Sequence, residues 1–188
     1  QRWNEASERQ ETDGRWGPDA DRDLGFPTEV AAARGLAVVQ VQRTIQAGRY
    51  TDTHPVPGGA PFAIAGGEFS NRDQYIQAIR AARECIYLET QAISVQPILD
   101  ELVGAIGRGV AVVLVAPSTA SSIDAPADGR TGLFRDERRA LARSPLFALA
   151  GLAGLDLNGS PRRVHVHSKL MIVDDVWATV GSCNLHRY

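Results

Sequence analysis

The sequence predicts an α/β fold, a layered α-β-α lobe built on a mixed β-sheet. Short runs of branched apolar residues alternate along the chain with segments whose apolar residues recur at a helical period. The last two predicted strands are joined by a tight turn and form an antiparallel hairpin, which makes the sheet mixed. With 188 residues, 44% of them hydrophobic, the chain fits one domain, or one large lobe of a bigger enzyme, with a sizeable core.

The first 35 residues are predicted to be a polar linker or loop, because residues 1 to 25 hold seven acidic and four basic residues among few apolar ones. The α/β lobe then extends over residues 36 to 188. Its first predicted strand is LAVVQVQRTI, residues 36 to 45, and a loop rich in Pro and Gly follows over residues 54 to 67.

The apolar period becomes helical at Ser70. Over residues 70 to 85 a helix is predicted, with Tyr75 and Ile79 among the residues of its inward face. The segment IYLETQ, residues 86 to 91, then forms a short strand.

A second helix is predicted over residues 95 to 109, with Pro97 in its first turn and glycines at its end. The next segment, VAVVLVAP, residues 110 to 117, lacks polar alternation and is predicted to be a buried strand. A small polar loop follows over residues 118 to 132 and is well placed to border a site.

Residues 133 to 151 support a third helix, broken near Pro145. The last two strands are predicted over residues 162 to 173 and 176 to 182. The two residues Asp174-Asp175 lie at the tight turn between these strands.

Composition excludes some classes of function. The formal charge of -2 argues against nucleic-acid binding through bulk electrostatics. The two cysteines, Cys85 and Cys183, fit neither a disulfide framework nor a zinc site, so both are expected to be small buried residues. No apolar run approaches the roughly 18 residues of a membrane span. The sequence therefore predicts a chain that is soluble or peripheral to a membrane, and it leaves the compartment open.

The segment RVHVHSKLMIVDD, residues 163 to 175, contains Lys169, the only lysine among 20 basic residues. Residues two apart on a strand point to the same face, so His165, His167, Lys169 and Met171 are predicted to project together. This face would carry an imidazole and an ammonium side by side.

The return strand of the hairpin is predicted to bring a hydroxyl, Ser182, and an amide, Asn184, toward His167. An imidazole, a positive charge and neutral donors suit an anionic phosphoester, because each can meet an oxygen of the phosphoryl group. Two other interpretations stay open for the isolated segment: a solvated strand, and a metal pair of His165 and His167 completed by Asp174 or His186.

The spacing from His167 to Asn184 reads HxKxxxxDxxxxxxGSxN, with six fixed positions across 18 residues. This pattern resembles the HKD signature of the phospholipase D superfamily. The segments YIQAIRAARECIYLETQAIS and RGVAVVLVAP are similar to the helix and strands that precede the second motif in phospholipases D and cardiolipin synthases. The chain therefore resembles the C-terminal half of a two-motif enzyme with a phospholipase D-like fold.

The resemblance implies a double displacement without metal or cofactor. One His forms a phosphohistidine and the other protonates the leaving alcohol. As the second-motif residue, His167 is expected to be the general acid and base, with Lys169 and Asn184 on the phosphoryl oxygens and Ser182 at the pocket floor. Asp174 belongs to the catalytic signature, but it lies at the turn and is expected to play a supporting role.

Glu89 and Gln91 share one face of their predicted strand, so they are candidates for the border of the site, with a buried structural role as the alternative. The chain has one HxK motif, whereas the family brings two together. The resemblance thus implies a second HKD half, in the same polypeptide, in another chain or in a second copy, and a lobe that is incomplete at both ends.

The leading interpretation is an enzyme that cleaves or transfers phosphatidyl groups of phospholipids at a membrane surface. The alternatives are an HKD-family nuclease, which the acidic balance disfavours, and a noncatalytic half that scaffolds its partner lobe.

Overall fold

The computed structural model describes residues 28–29, 31–48, 58–60, 63–117 and 135–185. The chain divides into two compact units, Gln1–Asn71 and Arg72–Tyr188. The predicted loop over residues 118 to 132 and most of the predicted N-terminal linker lie outside the described residues.

In the first unit, two short strands form an antiparallel pair, β1 (Thr44–Ile45) and β2 (Glu68–Phe69). The hydroxyl of Ser70 fixes the chain beside this pair: it accepts a hydrogen bond from the backbone N–H of Arg43 at 3.0 Å and donates one to the Arg43 carbonyl oxygen at 2.9 Å. Arg43 also forms an ion pair with Glu68, with 2.6 Å between Nε and Oε2.

The prediction of a strand over residues 36 to 45 is wrong except for its last two residues. Residues 36 to 43 adopt no regular structure, and the side chains of Leu36, Val38 and Val41 are almost fully exposed. A strand is stable only when its backbone groups pair with a neighbour, and none of the described strands pairs with this segment.

The second unit is built on a five-stranded mixed sheet. Its strands are β3 (Cys85–Glu89), β4 (Ala111–Val115), β5 (Phe147–Ala150), β8 (Leu170–Val173) and β9 (Trp177–Val180). They lie in the order β5-β4-β3-β8-β9. Strands β3, β4 and β5 are parallel, whereas β8 is antiparallel to β3 and β9 is antiparallel to β8. The predicted α/β class with a mixed sheet and a C-terminal hairpin is confirmed.

Within the described ranges, three helices accompany the sheet: α1 (Ser70–Ala81), α2 (Gln96–Gly107) and α3 (Arg135–Arg143). Their inward side chains and one face of the sheet form a single core. The largest of its fully buried side chains are Ile79, Ile86, Leu88, Ile98, Leu99, Leu102, Leu114 and Met171. The predictions of α1 and α2 are confirmed to within a few residues at each end. A second helical layer on the other face of the sheet stays a prediction.

The segment after α3 differs from its prediction. Residues 147 to 150 form β5, which pairs with β4, instead of extending the third helix. The apolar run FALA is short enough to suit either structure, and the parallel edge of β4 decides between them.

The strand predicted over residues 162 to 173 is divided in two. Its start belongs to β7 (Pro161–Arg163), which pairs with β6 (Ala153–Leu155) in a separate hairpin, and its end is β8. Residues 164 to 169 lie between the two and form no regular strand. The chain changes partners over this segment, from β6 on one side to β3 and β9 on the other.

Candidate active site

The HxK segment lies at the carboxyl end of the parallel strands. Glu89, the last residue of β3, is paired with Leu170, so residues 165 to 169 continue past that end of the sheet. The backbone N–H of Gly181 donates to the Lys169 carbonyl oxygen at 3.0 Å, which brings the end of β9 to the same edge. Ligands of open α/β sheets bind at this edge.

The two histidines of the segment project into solvent. His165 and His167 are exposed, and their rings are nearly stacked, with 5.9 Å between the centroids and 26° between the planes. Val166 between them is buried and anchors the segment. The prediction that His165, His167, Lys169 and Met171 project together is wrong for Lys169 and Met171, which are buried while the two imidazoles are exposed, because the regular strand begins only at Leu170.

Lys169 is buried, with 7% of its surface exposed. Its Nζ donates a hydrogen bond to the backbone carbonyl oxygen of His167 at 2.6 Å. Among the residues that the structure describes, Lys169 forms no ion pair. An ammonium removed from water without a counter-charge is costly, and a bound anion would offset that cost.

Glu89 contacts the residue between His167 and Lys169. The hydroxyl of Ser168 donates to Glu89 Oε2, and the hydroxyl of Tyr87 donates to Oε1 at 2.5 Å. These bonds stabilise the charged carboxylate, so they lower the pKa of Glu89, the Ser168 bond most of all. The hydrogen bond from Tyr87 to Glu89 raises the pKa of Tyr87.

Glu89, predicted as a border residue, is thus linked directly to the HxK segment. Its fellow candidate Gln91 lies in a bend just after β3 and is partly buried. Sequence reasoning did not single out Tyr87 or Ser168. The alternation of β3 places Tyr87 on the same face as Glu89 and could have identified Tyr87, whereas the Ser168 contact joins residues 79 positions apart.

The segment after β9 carries Ser182 and Asn184. Ser182 is exposed, and Asn184 is partly buried. The carbonyl oxygen Oδ1 of Asn184 is buried and has no hydrogen-bond partner among the described residues. The backbone N–H of Ser94 donates to the Leu185 carbonyl oxygen at 2.7 Å and ties this segment to the chain beyond β3.

Cys183, between these two residues, is partly buried, and burial raises the pKa of its thiol. Burial and, to a lesser degree, the charge of Cys183 raise the pKa of Tyr75 to about 12.

Asp174 lies at the other end of β8. Its carboxylate accepts hydrogen bonds from the backbone N–H groups of Arg83, Glu84 and Cys85 at 2.8, 2.9 and 2.8 Å. These bonds lower the pKa of Asp174, the Cys85 bond most strongly. The length of β8, about 13 Å at 3.3 Å per residue, separates this carboxylate from the HxK segment. The structure therefore does not bring Asp174 together with His167 and Lys169.

The distance between Asp174 and the HxK segment also argues against the predicted metal site at His165 and His167. Asp174 is too distant to complete a shell with His165 and His167, and His186 lies outside the described residues. Within the described ranges, no group of three or more His, Cys, Asp or Glu side chains is arranged to hold a metal ion. Nor does any helix in the described part of the chain have the length and apolar character needed to cross a membrane.

These features define a mixed α/β lobe with one histidine-lysine segment at the carboxyl edge of its sheet. The chain belongs to the cardiolipin synthase, PLD-like domain family, within the phospholipase D superfamily, and the family model matches residues 75–188. The matched region contains every residue of the candidate site. No curated protein matches the chain.

Several solved structures are similar to this chain, among them NucT and Nuc. NucT from Helicobacter pylori is 19% identical, with a TM-score of 0.46, and the match covers 61% of this chain and 67% of NucT. The phospholipase D family member Nuc from Salmonella typhimurium is 26% identical, with a TM-score of 0.42, and the match covers 63% of this chain and 66% of Nuc. The chain thus spans about two thirds of the length of each.

Proposed function

We propose that this chain supplies one of two HKD half-sites of a phospholipase D-like phosphodiesterase, which cleaves or transfers phosphatidyl groups of phospholipids. The observation that carries the proposal is the buried ammonium of Lys169, which is held at the backbone of His167 and forms no ion pair with a described residue. A phosphoryl oxygen supplies the missing negative charge. Membership in the PLD-like family supports this assignment.

His167 is the general acid of the first step in this proposal. A neutral imidazole from the second half attacks phosphorus, the bond from phosphorus to the leaving oxygen breaks, and His167 gives that oxygen its proton. Neutral His167 then takes a proton from water or an alcohol. The oxygen so activated attacks phosphorus and breaks the nitrogen–phosphorus bond. The exposed position of His167 allows it to meet a substrate and a second half.

Lys169, Asn184 and Ser182 stabilise the phosphoryl group. The Lys169 ammonium stabilises the negative charge of the nonbridging oxygens, and the Asn184 amide donates hydrogen bonds to these oxygens. The Ser182 hydroxyl forms the floor of the pocket. Asp174 has a structural role in this scheme, because its carboxylate joins the β8–β9 turn to the start of β3.

The second half comes from the same polypeptide, another chain or a second copy. The chain has four histidines but one HxK motif, so its described site holds one of the two imidazoles that double displacement requires. PLD-like proteins often dimerise to form the active site, which supports this view.

An assay of the assembled protein on three substrates tests the proposal. Phosphatidylcholine, phosphatidylglycerol and a DNA duplex are incubated separately, and free headgroup, cardiolipin and nicked DNA are measured. We expect turnover of a phospholipid, and His167→Ala should reduce the rate by about 10² to 10⁴-fold. His165→Ala is the matched control, because His165 is an exposed neighbour outside the motif.

Each outcome decides between the alternatives. Nicking of DNA without phospholipid turnover would identify a nuclease. A near-wild-type rate in His167→Ala would identify a scaffolding half, and equal losses in both histidine variants would overturn the motif assignment. Activity should also survive a strong chelator, because the proposed double displacement uses two imidazoles and no metal.

A further inference from the structure

We infer that the β6–β7 hairpin is a lipid-surface contact that brings phospholipid headgroups to the HxK segment. The inference deepens the proposed function by naming the surface through which its substrate is reached. Its test measures binding without turnover, so the inference and the proposed function can fail separately.

The hairpin presents leucines to solvent. Leu155 at the end of β6 is 74% exposed, and Leu157 in the connecting turn is fully exposed. Leu152, just before β6, is exposed as well. Exposed leucines that cluster at a projecting turn are typical of surfaces that enter the boundary between headgroups and acyl chains.

The turn that carries Leu157 is held in one conformation. Asp156 Oδ1 accepts hydrogen bonds from the backbone N–H groups of Asn158 and Ser160, both at 2.9 Å. The N–H of Asp156 donates to the Ser160 carbonyl oxygen at 2.9 Å, and Gly159 adopts a left-handed φ of 75°. A turn fixed in this way keeps Leu157 exposed and loses little conformational freedom on binding.

The charge of the hairpin suits an anionic lipid surface. Residues 151 to 164 contain three charged side chains, Asp156, Arg162 and Arg163, whereas the whole chain has a net charge of -2. Arg162 is paired with Asp156, with 2.9 Å between Nε and Oδ2. Arg163 is exposed and forms no ion pair with a described residue, so one positive charge is available for a phosphate.

The register places this charge beside the apolar residues. Leu155 is paired with Pro161 and Ala153 with Arg163, and cross-strand partners share a face with residues two apart along each strand. One face of the hairpin therefore carries Ala153, Leu155, Pro161 and Arg163. Leucines beside an arginine form the pattern that binds a lipid surface through both its acyl and phosphate groups.

The hairpin is also continuous with the candidate site. Strand β7 ends at Arg163, and His167 follows four residues later, at most about 14 Å along an extended chain. A phospholipid whose phosphate is near Arg163 is therefore within reach of the HxK segment. A protein partner is the other occupant to consider, but leucine is under-represented among the residues that dominate protein interfaces, and the hairpin has no aromatic residue.

Sedimentation with vesicles tests the inference. The full chain is mixed with vesicles of phosphatidylcholine alone or of an equimolar mixture with phosphatidylglycerol. We expect Leu155→Ser with Leu157→Ser to weaken binding about 100-fold, since the loss of one leucine contact reduces affinity about tenfold. Arg163→Gln should weaken binding about fivefold to the mixed vesicles only.

Val176→Ser is the matched control. Val176 is 86% exposed in the β8–β9 turn, at the end of the sheet away from His167. The Val176→Ser variant should bind vesicles as the wild type does. The inference is overturned if the double leucine variant binds like the wild type, or if Val176→Ser loses as much affinity. Loss of self-association with unchanged vesicle binding would identify a protein contact instead.

A second variant covers the case in which the serine substitutions unfold the chain. Leu157→Trp keeps a large apolar side chain at the turn, and its fluorescence reports its surroundings. Vesicles that contain brominated lipid should quench this emission well beyond the quenching of the wild type. Equal quenching in the two proteins would contradict the inference.

Discussion

Replacing Lys169 with Met should stabilise the folded chain and remove its response to phosphate. Methionine matches the length of lysine and keeps the apolar stem buried, but it carries no charge. The substitution loses one hydrogen bond from a charged donor, worth about 1.5 to 3 kcal/mol. It also removes a desolvation penalty of several kcal/mol, because Lys169 is buried without an ion-pair partner among the described residues. We expect a net gain of about 1 kcal/mol in the free energy of unfolding.

Urea unfolding with and without inorganic phosphate measures both effects. A phosphate concentration of about 100 times the dissociation constant should stabilise the wild type by about 2.7 kcal/mol and leave Lys169→Met unchanged. Arg139→Gln is the control, because it removes an exposed positive charge on α3 and should respond to phosphate as the wild type does. A less stable Lys169→Met, or equal stabilisation of both proteins by phosphate, would show that Lys169 is neither a buried cost to folding nor the phosphate ligand.

Three further predictions concern the parts around the site. Asp174→Asn should lose a pH-dependent part of stability. Because the pKa of Asp174 is lowered in the folded chain, its carboxylate stabilises the wild type above the ordinary Asp pKa of about 3.9, and this stability is lost as the pH falls through the lower folded value. The free energies of unfolding of the two proteins in urea should therefore converge in acid. Met171→Ala should destabilise the fold by about 2 to 5 kcal/mol, because the Met171 side chain is fully buried. Ile172→Ala, on the partly exposed face of β8, should lower the free energy of unfolding by less in the same assay. Equal losses would contradict the assigned faces. Glu89→Gln should return the pKa of Tyr87 toward its ordinary value, which an absorbance titration at high pH detects; an unchanged titration would show that the carboxylate does not hold the tyrosine hydroxyl.

The elements with strong local patterns could be predicted from the sequence. Helices α1 and α2 have a clear apolar period, and the turn at Asp174-Asp175 has two residues with left-handed φ angles of 51° and 56°, a conformation that Asp tolerates. Strand β5 could not be predicted, because four apolar residues suit either a helix or a strand, and its partner β4 lies more than 30 positions earlier in the chain.

The residue types of the candidate site could be predicted from the sequence, but which of its side chains are buried could not. The motif spacing singled out His167 and Lys169 as candidates. The expected alternation, however, placed their side chains on one face of a regular strand. In the structure the strand begins only at Leu170, so the imidazole is exposed while the ammonium is buried. The link from Ser168 to Glu89 depends on the pairing of β3 with β8, which no local pattern reveals.

Nuclear magnetic resonance during a phosphate titration tests whether Lys169 and His167 form one phosphoryl-binding half-site. Lys169 is the only lysine, so selective ¹⁵N-lysine labelling gives one backbone signal, and ¹³C-histidine labelling gives four ring signals. We expect the Lys169 and His167 signals to shift together and to saturate at the same phosphate concentration. No shift at Lys169, or a His167 signal that saturates at a different phosphate concentration, would contradict this expectation.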